Sequence, residues 1–288
     1  MLTNKHNLPS AFRNFEKRNP HSGDGADYTV TTLIDSPRIA SLGRCYGDQI
    51  DEDVSEKIMA ILGTAVHKIL ETGAGQGETP EQRFHAEING TKISGQVDLQ
   101  TEYPGGVVLS DYKTTSAFVV QKFPNGKPEH ERQLNTYAYL ARQNGVEVKG
   151  LEVIAIIRDW SDGNARRSSE YPETPVARIP INMWEPERAE EYVIERVALH
   201  ENYDGENCTD DEMWLRPAKF AVHEFKKSWS KRAKRLFDSR TAAEIYIMDQ
   251  KQPEKFRVEE RSAEHVRCDH YCSVARWCEQ NNRRIMNG

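Results

Sequence analysis

The sequence predicts an α/β fold, on three features of its 288 residues. Apolar positions recur with the helical period over residues 54–71. Three strand-like segments follow at 83–88, 92–100 and 107–113, parted by turn residues. A second helical stretch over 131–143 then leads into a continuous apolar run at Leu151 to Arg158. Helical and strand periods interleaved along one chain define the class.

Residues 1–27, with Asn, Pro, Gly and Asp and little periodicity, read as a flexible arm. Residues 28–203 read as a core, and 204–288 as a basic helical region ending in a cysteine-rich segment. In the first helix Val54, Ile58, Ile61, Leu62, Ala65, Val66, Ile69 and Leu70 make one wide apolar stripe. Gly73 to Pro80 is a glycine-rich break. Asn144-Gly145 stops the second helix. Leu151 to Arg158 has strand length and is expected to be buried on both faces. Val176 to Ile181 alternates like a further strand, and Glu185 to His200 is helical again.

Composition narrows the function classes. The chain is 37% hydrophobic and 29% charged, polar but able to fold. Its longest apolar stretch, Val153 to Ile157, is too short for a bilayer. Met1 to Pro20 is polar and mixed, unlike a signal segment. A cytoplasmic protein without membrane association is expected. The formal charge of −6 excludes a bulk polycation, so any nucleic-acid contact needs a local basic patch.

The chemistry-bearing residues gather around one hairpin. Tyr103-Pro104-Gly105-Gly106 has the composition of a turn between two strands. Centred between Pro104 and Gly105, the hairpin pairs residues whose numbers sum to 209. Asp98 and Asp111 are such a pair and would share a face of the sheet. A turn centred one residue later would separate them. Lys113, two residues beyond Asp111, also shares that face. Two close carboxylates repel unless a cation lies between them, and oxygen donors of this kind suit Mg²⁺ or Mn²⁺. The same residues would also suit an exposed hairpin with a weak salt bridge.

His67 falls on the helix face opposite the apolar stripe, beside Ala60, Gly63 and Thr64. Such small neighbours let another group approach closely. Gln133 and Tyr137 lie four apart and share a helix face. Glu87 is a further acidic residue, better suited to a solvent-facing strand position.

In order, Gly63-Thr-Ala-Val-His67, Gly95-Gln-Val-Asp98, Asp111-Tyr-Lys113 and Gln133-Leu-Asn-Thr-Tyr137 resemble the motifs of the RecB-like branch of the PD-(D/E)XK nucleases. That branch includes the RecB and AddB nuclease domains and CRISPR-adaptation and phage exonucleases. The matching span is roughly residues 30–160. The resemblance implies a restriction-endonuclease-like αβββαβ core, a mixed central sheet flanked by helices, with a helical, cysteine-containing C-terminal extension. It implies metal ligation by His67, Asp98, Asp111 and the backbone carbonyl of Tyr112. It implies catalytic work by Asp98, Asp111 and Lys113, with Gln133 and Tyr137 holding DNA or the site.

Cys268, Cys272 and Cys278 crowd the C-terminus, and thiolates so spaced suit zinc or an iron–sulfur cluster. Some relatives of the resembled branch hold a [4Fe-4S] cluster with one upstream cysteine and a C-terminal trio. This chain departs from that pattern. Its first gap is three residues where theirs is two, and Ser36-Pro37-Arg38 stands where they have Cys-Pro. Cys208, before the capping-box pattern Thr209-Asp210-Asp211-Glu212, is the preferred fourth ligand. Cys45 is the alternative, as is His270 if the metal is zinc.

From Arg216 to Arg235 basic residues interleave with Phe220, Phe225 and Trp229. Lys226, Lys227, Trp229, Lys231 and Arg232 are the expected DNA contacts, by phosphate pairing and base stacking. The expectation is a Mg²⁺- or Mn²⁺-dependent deoxyribonuclease acting on DNA ends or single strands. Recombination, repair or phage DNA metabolism is the setting the resemblance implies, in the host cytoplasm if phage-encoded. A recombinase, helicase or single-strand-binding protein would be its partner. The rival expectations are a catalytically silent DNA-binding or assembly subunit and a structure-specific endonuclease.

Overall fold

Two tight turns set the frame of the sheet. Asn89 and Gly90 both take positive φ, 51° and 86°, the backbone a two-residue Asn-Gly hairpin requires. Ile88 therefore faces Thr91 and Glu78 faces Thr101, so partners across this hairpin sum to 179. At the second turn Gly105 takes φ 86°. Tyr103 faces Gly106 and Leu99 faces Ser110, the 209 register that the turn composition predicts.

The computed structural model describes residues 2–18, 23–226 and 228–287. In chain order its elements are β1 (Leu2–Thr3), α1 (Ser10–Arg18), β2 (Tyr28–Thr29), α2 (Val30–Leu33), α3 (Pro37–Tyr46), β3 (Glu52–Asp53), α4 (Ile58–Thr72), β4 (Glu78–Ile88), β5 (Thr91–Tyr103), β6 (Gly106–Thr115), α5 (Ala117–Lys122), α6 (Pro128–Gln143), β7 (Val148–Ile157), α7 (Asp162–Ala165), β8 (Val176–Ile181) and α8 (Pro186–Glu201). There follow β9 (Leu215–Arg216), β10 (Lys219–Glu224), β11 (Arg235–Phe237), α9 (Arg240–Met248), β12 (Phe256–Arg261), β13 (Glu264–His265) and α10 (Glu279–Asn287). The chain divides into two units, Met1–Ser41 with Gly47–Asp204, and Leu42–Tyr46 with Gly205–Gly288. Among the described residues no helix is long and apolar enough to cross a membrane.

In the first unit β5 is the spine of a mixed six-stranded sheet. One edge pairs with β4, antiparallel, over nearly its whole length. The other edge is shared. β2 pairs with it in parallel at Ile93 and Ser94, and β6 antiparallel from Leu99 to Tyr103. Beyond Ser110, β6 leaves β5 and runs on to Thr115 in parallel with β7, which pairs antiparallel with β8. The sheet therefore forks between residues 95–98 of β5 and 111–115 of β6.

Behind the fork lies the apolar core. Leu134, Ala138, Leu140 and Ala141 of α6 are buried with Ile93, Val97, Leu109 and Val153 of the sheet. Pro128 opens α6, where its missing N–H costs nothing. Gly95 is needed where α6 and α2 press on β5. A Cβ there would lie 2.7 Å from Val30 Cγ2 and 2.8 Å from the Tyr137 ring.

Several expectations change. Within 1–27, read as a flexible arm, the described residues include β1 and α1. β1 pairs in parallel with β3, and Asp53 accepts from Lys5 N at 2.7 Å and Thr3 Oγ1 at 2.8 Å. β7 is fully buried on one face only. On the other, Ile154 and Ile156 are half-buried, and Glu152 is bridged by Ser110 Oγ and Arg178. The apolar stripe of α4 is only partly covered, with Leu62, Ala65, Ile69 and Leu70 exposed and Ile58, Ile61 and Val66 half-buried. Gly63, Thr64 and His67 on the other face are half-buried, and His67 there reaches Tyr112 O and Asp98 of the sheet.

The basic stretch of the second unit is β-structure, not helix. β10 is the middle strand of a three-stranded sheet, antiparallel to β11 and to β12. Ladders on both edges satisfy its backbone, and Ala221, Val222 and His223 are buried. Pairing overrides the local charge pattern here, as strand preference is mostly context.

Candidate active site

The fork leaves main-chain groups of β6 without a ladder partner, and side chains take them up. Tyr112 N donates to Asp98 Oδ2 at 2.7 Å. Tyr112 O lies 3.2 Å from His67 Nε2. The other Asp98 oxygen, Oδ1, lies 3.3 Å from His67 Nδ1. One aspartate and one histidine thus bind the free edge of β6 and each other.

Glu81 completes the group, a residue the motif reading passed over. His67, Glu81 and Asp98 offer ligand atoms all within 4.8 Å of one another. Glu81 lies in β4 with φ 51°, a left-handed conformation uncommon for a residue with a side chain and costly to hold. By the 179 register it falls opposite Asp98. That register was available from Asn89-Gly90. Glu87, the acidic residue weighed in its place, is exposed at the far end of β4 opposite Lys92.

Asp111 is buried at 3% exposure and stands outside that three-residue group. Lys113 Nζ lies 2.5 Å from Asp111 Oδ2, yet that oxygen meets no well-aligned donor. The residues expected from the resemblance as ligands all lie at the fork, with these partners. Tyr112 O is turned to His67, Asp111 to Lys113, and Glu81 stands with His67 and Asp98.

The electrostatics follow from crowding. Burial, opposed by Lys113 and helped by Asp98, pushes the Asp111 carboxyl upward. Burial and the charge of Asp98 push Glu81 upward too. The Asp98 hydrogen bond raises His67 against the effect of burial. Carboxylates so placed strain toward protonation unless a cation sits among them. The donor set of carboxylate oxygens, one imidazole and a buried, unaligned Asp111 Oδ2 fits a hard divalent ion.

These residues line a cleft of about 490 Å³ shared with Arg83, Ser94, Gly95, Gln96, Gln133 and Tyr137. Gln133 Nε2 donates to Tyr137 Oη at 3.1 Å, and burial pushes the Tyr137 hydroxyl up. Asp98, Asp111, Lys113, Gln133 and Tyr137 therefore border one space, as does His67.

In the second unit the thiols surround the start of α10. Cys208 N donates to Gln280 Oε1 at 2.8 Å, and Gln280 Nε2 donates to Cys208 O at 2.9 Å. Cys208 is thereby tied to Gln280 of α10, two residues along the chain from Cys278. Cys208 and Cys278 are buried, Cys268 and Cys272 half-buried. Burial, then the neighbouring Cys272 and Cys278, pushes the Cys268 thiol up, against Arg284. Cys45 is exposed. His270 Nε2 is turned to Glu264 Oε1 at 3.1 Å.

Of the expected DNA contacts, Lys226, Trp229, Lys231 and Arg232 lie on the loop from β10 to β11. Lys227 is outside the described residues. Lys226, Lys231 and Arg232 are exposed. Trp229 packs edge-on against Phe225, and the Arg257 guanidinium lies 4.5 Å over its ring.

A family model described as the PD-(D/E)XK nuclease superfamily matches residues 74–279. The comparison with curated proteins gives no match. Among solved structures, the crystal structure of SSO0001 is similar with TM-score 0.48 at 20% identity, covering 70% of this chain and 88% of that one. An alkaline exonuclease, LHK-Exo from Laribacter hongkongensis, gives 0.38 at 16% identity, covering 60% of this chain and 87% of its own.

Proposed function

The chain belongs to the PD-(D/E)XK nuclease superfamily, and on that premise we propose that it is a Mg²⁺- or Mn²⁺-dependent deoxyribonuclease that removes nucleotides from DNA ends. The observation that carries this reading is the convergence of His67, Glu81, Asp98, Asp111 and Lys113 on one cleft at the fork. His67, Glu81 and Asp98 would hold the ion, with Asp111 joining once Lys113 turns to substrate. A bound divalent ion would acidify water and offset charge on the scissile phosphate.

The chain's own residues do the rest. Lys113, the ammonium in the cleft beside these carboxylates, holds the attacking water or a phosphate oxygen as charge builds on it. Asp98 keeps β6 at its distance by accepting from Tyr112 N. Gln133 and Tyr137, joined to each other, form the α6 wall against which a nucleotide rests. Lys226, Lys227, Trp229, Lys231 and Arg232 lead the DNA strand along phosphates and one aromatic face.

Cys208, Cys268, Cys272 and Cys278 are the ligands we assign to a [4Fe-4S] cluster, zinc being the other occupant of the same thiols. The clamp of Gln280 on Cys208 supports this set over one using Cys45. A DNA-processing partner, a helicase or recombinase, acting in the cytoplasm fits an activity directed at ends.

End-labelled linear DNA, single- and double-stranded, incubated with Mg²⁺ or EDTA, tests the nuclease reading. Metal-dependent release of label, absent in Lys113→Ala and on circular single strands, is expected. Equal behaviour of the variant and the natural chain would sink it, and cutting of circles would make it an endonuclease. Anaerobically purified protein should absorb in the visible. A colourless protein containing zinc rejects the cluster.

A further inference from the structure

β4 and β5 face each other in rungs. Arg83 is opposite Gln96 and His85 opposite Ser94, and by the same register Glu81 is opposite Asp98. Ser94, Gln96 and Asp98 alternate onto one face of β5, and all three line the cleft with Arg83 and Glu81. One rung carries the candidate metal ligands, and the next carries a cation.

That cation is held in place by neutral groups. Arg83 Nη2 donates to Gln96 Oε1, and Arg83 Nη1 to Ser94 Oγ at 3.3 Å. Ser94 Oγ in turn donates to Gly23 O at 2.7 Å. The other end of the same amide, Gln96 Nε2, donates to Glu81 Oε2 at 2.7 Å. An acid on one side and a guanidinium on the other leave the Gln96 amide only one sensible orientation. Among the described residues no carboxylate is within ion-pair distance of Arg83, although three carboxylates line its cleft. Two of its five N–H donors are engaged, so the rest remain for a ligand.

Spacing identifies the ligand. Two residues along a strand span about 6.7 Å, one backbone step of an extended nucleotide chain. We propose that Arg83, positioned by Gln96 and Ser94, is a phosphate subsite that binds the DNA phosphate one nucleotide from the bond cleaved. The proposal rests on the nuclease reading. Gln96 acts as a spacer, holding Glu81 of the metal rung and Arg83 of the phosphate rung at a set separation. The phosphate bound is a terminal monoester when a strand end occupies the cleft and an internal diester otherwise.

Oligonucleotides carrying one uncharged methylphosphonate, scanned along the strand, test this in Mg²⁺. The natural chain should lose about tenfold in kcat/KM, as a KM effect, when the neutral group lies one step from the cleaved bond. Arg83→Ala should lose as much on ordinary DNA and nothing more on that analogue, with Arg83→Lys between. Arg83→Ala that stays as sensitive to the analogue as the natural chain overturns the subsite.

Equilibrium binding of short oligonucleotides in Ca²⁺, read by fluorescence anisotropy, separates this from the nuclease reading. Weaker binding by Arg83→Ala and by Gln96→Leu supports the subsite even if the natural chain cuts nothing. Unchanged binding by both overturns it. An Arg83→Ala effect confined to oligonucleotides with a terminal phosphate assigns the monoester. An equal effect without one assigns the diester.

Discussion

The two units solve the folding problem differently. In the first, large side chains such as Leu33, Ile93, Leu109, Leu134 and Leu140 are fully buried. Apolar burial holds the sheet and α6 together, and a crowded acidic cleft is tolerated as a local exception. Among the described residues of the second unit the fully buried side chains larger than alanine are Val222, His223 and Val274. The other buried positions are Met213, Val266, Asn281, Ala221 and Ala243, with the thiols Cys208 and Cys278. A unit with so little apolar interior needs another source of stability, and a metal held by thiolates is one. The first unit can therefore spend stability on a charged site, while the second would draw part of its stability from a metal on its thiols, as proposed above.

The largest effect expected from this contrast is on rate. Lys113→Ala should lower cleavage by about a thousandfold while leaving the melting of the first unit in place, measured by end-labelled degradation and calorimetry. Asp111→Asn should abolish cleavage in Mg²⁺ and, in metal-free protein, raise the melting temperature, because it removes a buried carboxylate already pushed toward protonation. A drop in stability would show Asp111 to be a structural ion-pair residue instead.

Next comes Cys272→Ala. With the thiols holding a metal as proposed, this variant should lower the transition of the second unit by several degrees and leave the first unmoved, as two separate calorimetric steps. A single transition shifted as a whole would break the contrast. Gly95→Ala should do the reverse. It should cost the first unit about 1–3 kcal/mol through the clash with Val30 and Tyr137, read by denaturant titration.

The smallest effect is a pH dependence confined to the first unit. Burial, then Lys113, lowers His130 from 6.5 to about 4. Neutral Nδ1 also accepts from Lys127 N at the start of α6. The unfolded chain binds this proton near pH 6.5 and the folded one only near 4, so stability falls as pH drops through that window. His130→Gln should flatten that slope, as followed by thermal melts from pH 7 to 4. An unchanged slope would assign the acid sensitivity elsewhere.

Much of the site was legible because its determinants are local. Pro104-Gly105 defines the 209 register, and with it the pairing of Leu99 with Ser110 that brings Asp98 and Asp111 to the fork. Asn89-Gly90 defines the 179 register in the same way, so Glu81 opposite Asp98 was also readable, although no motif pointed to it. Helix boundaries for α4, α6 and α8 followed the periodicity closely. The face that α4 turns to the sheet did not follow its hydrophobicity: His67 on that face reaches Tyr112 O and Asp98, while Ile69 is exposed. Strand formation in Lys219–Glu224 escaped the reading because its partners, β11 and β12, are distant in sequence.

By itself the sequence determined the two turns, hence which residues stand opposite across each hairpin, since positive φ at Asn89, Gly90 and Gly105 is a property of those residues. Tertiary structure decided where β6 leaves β5 for β7 and where Cys208 meets Gln280. Those outcomes come from competition among distant partners for the same backbone edge or side chain, which no local preference can settle.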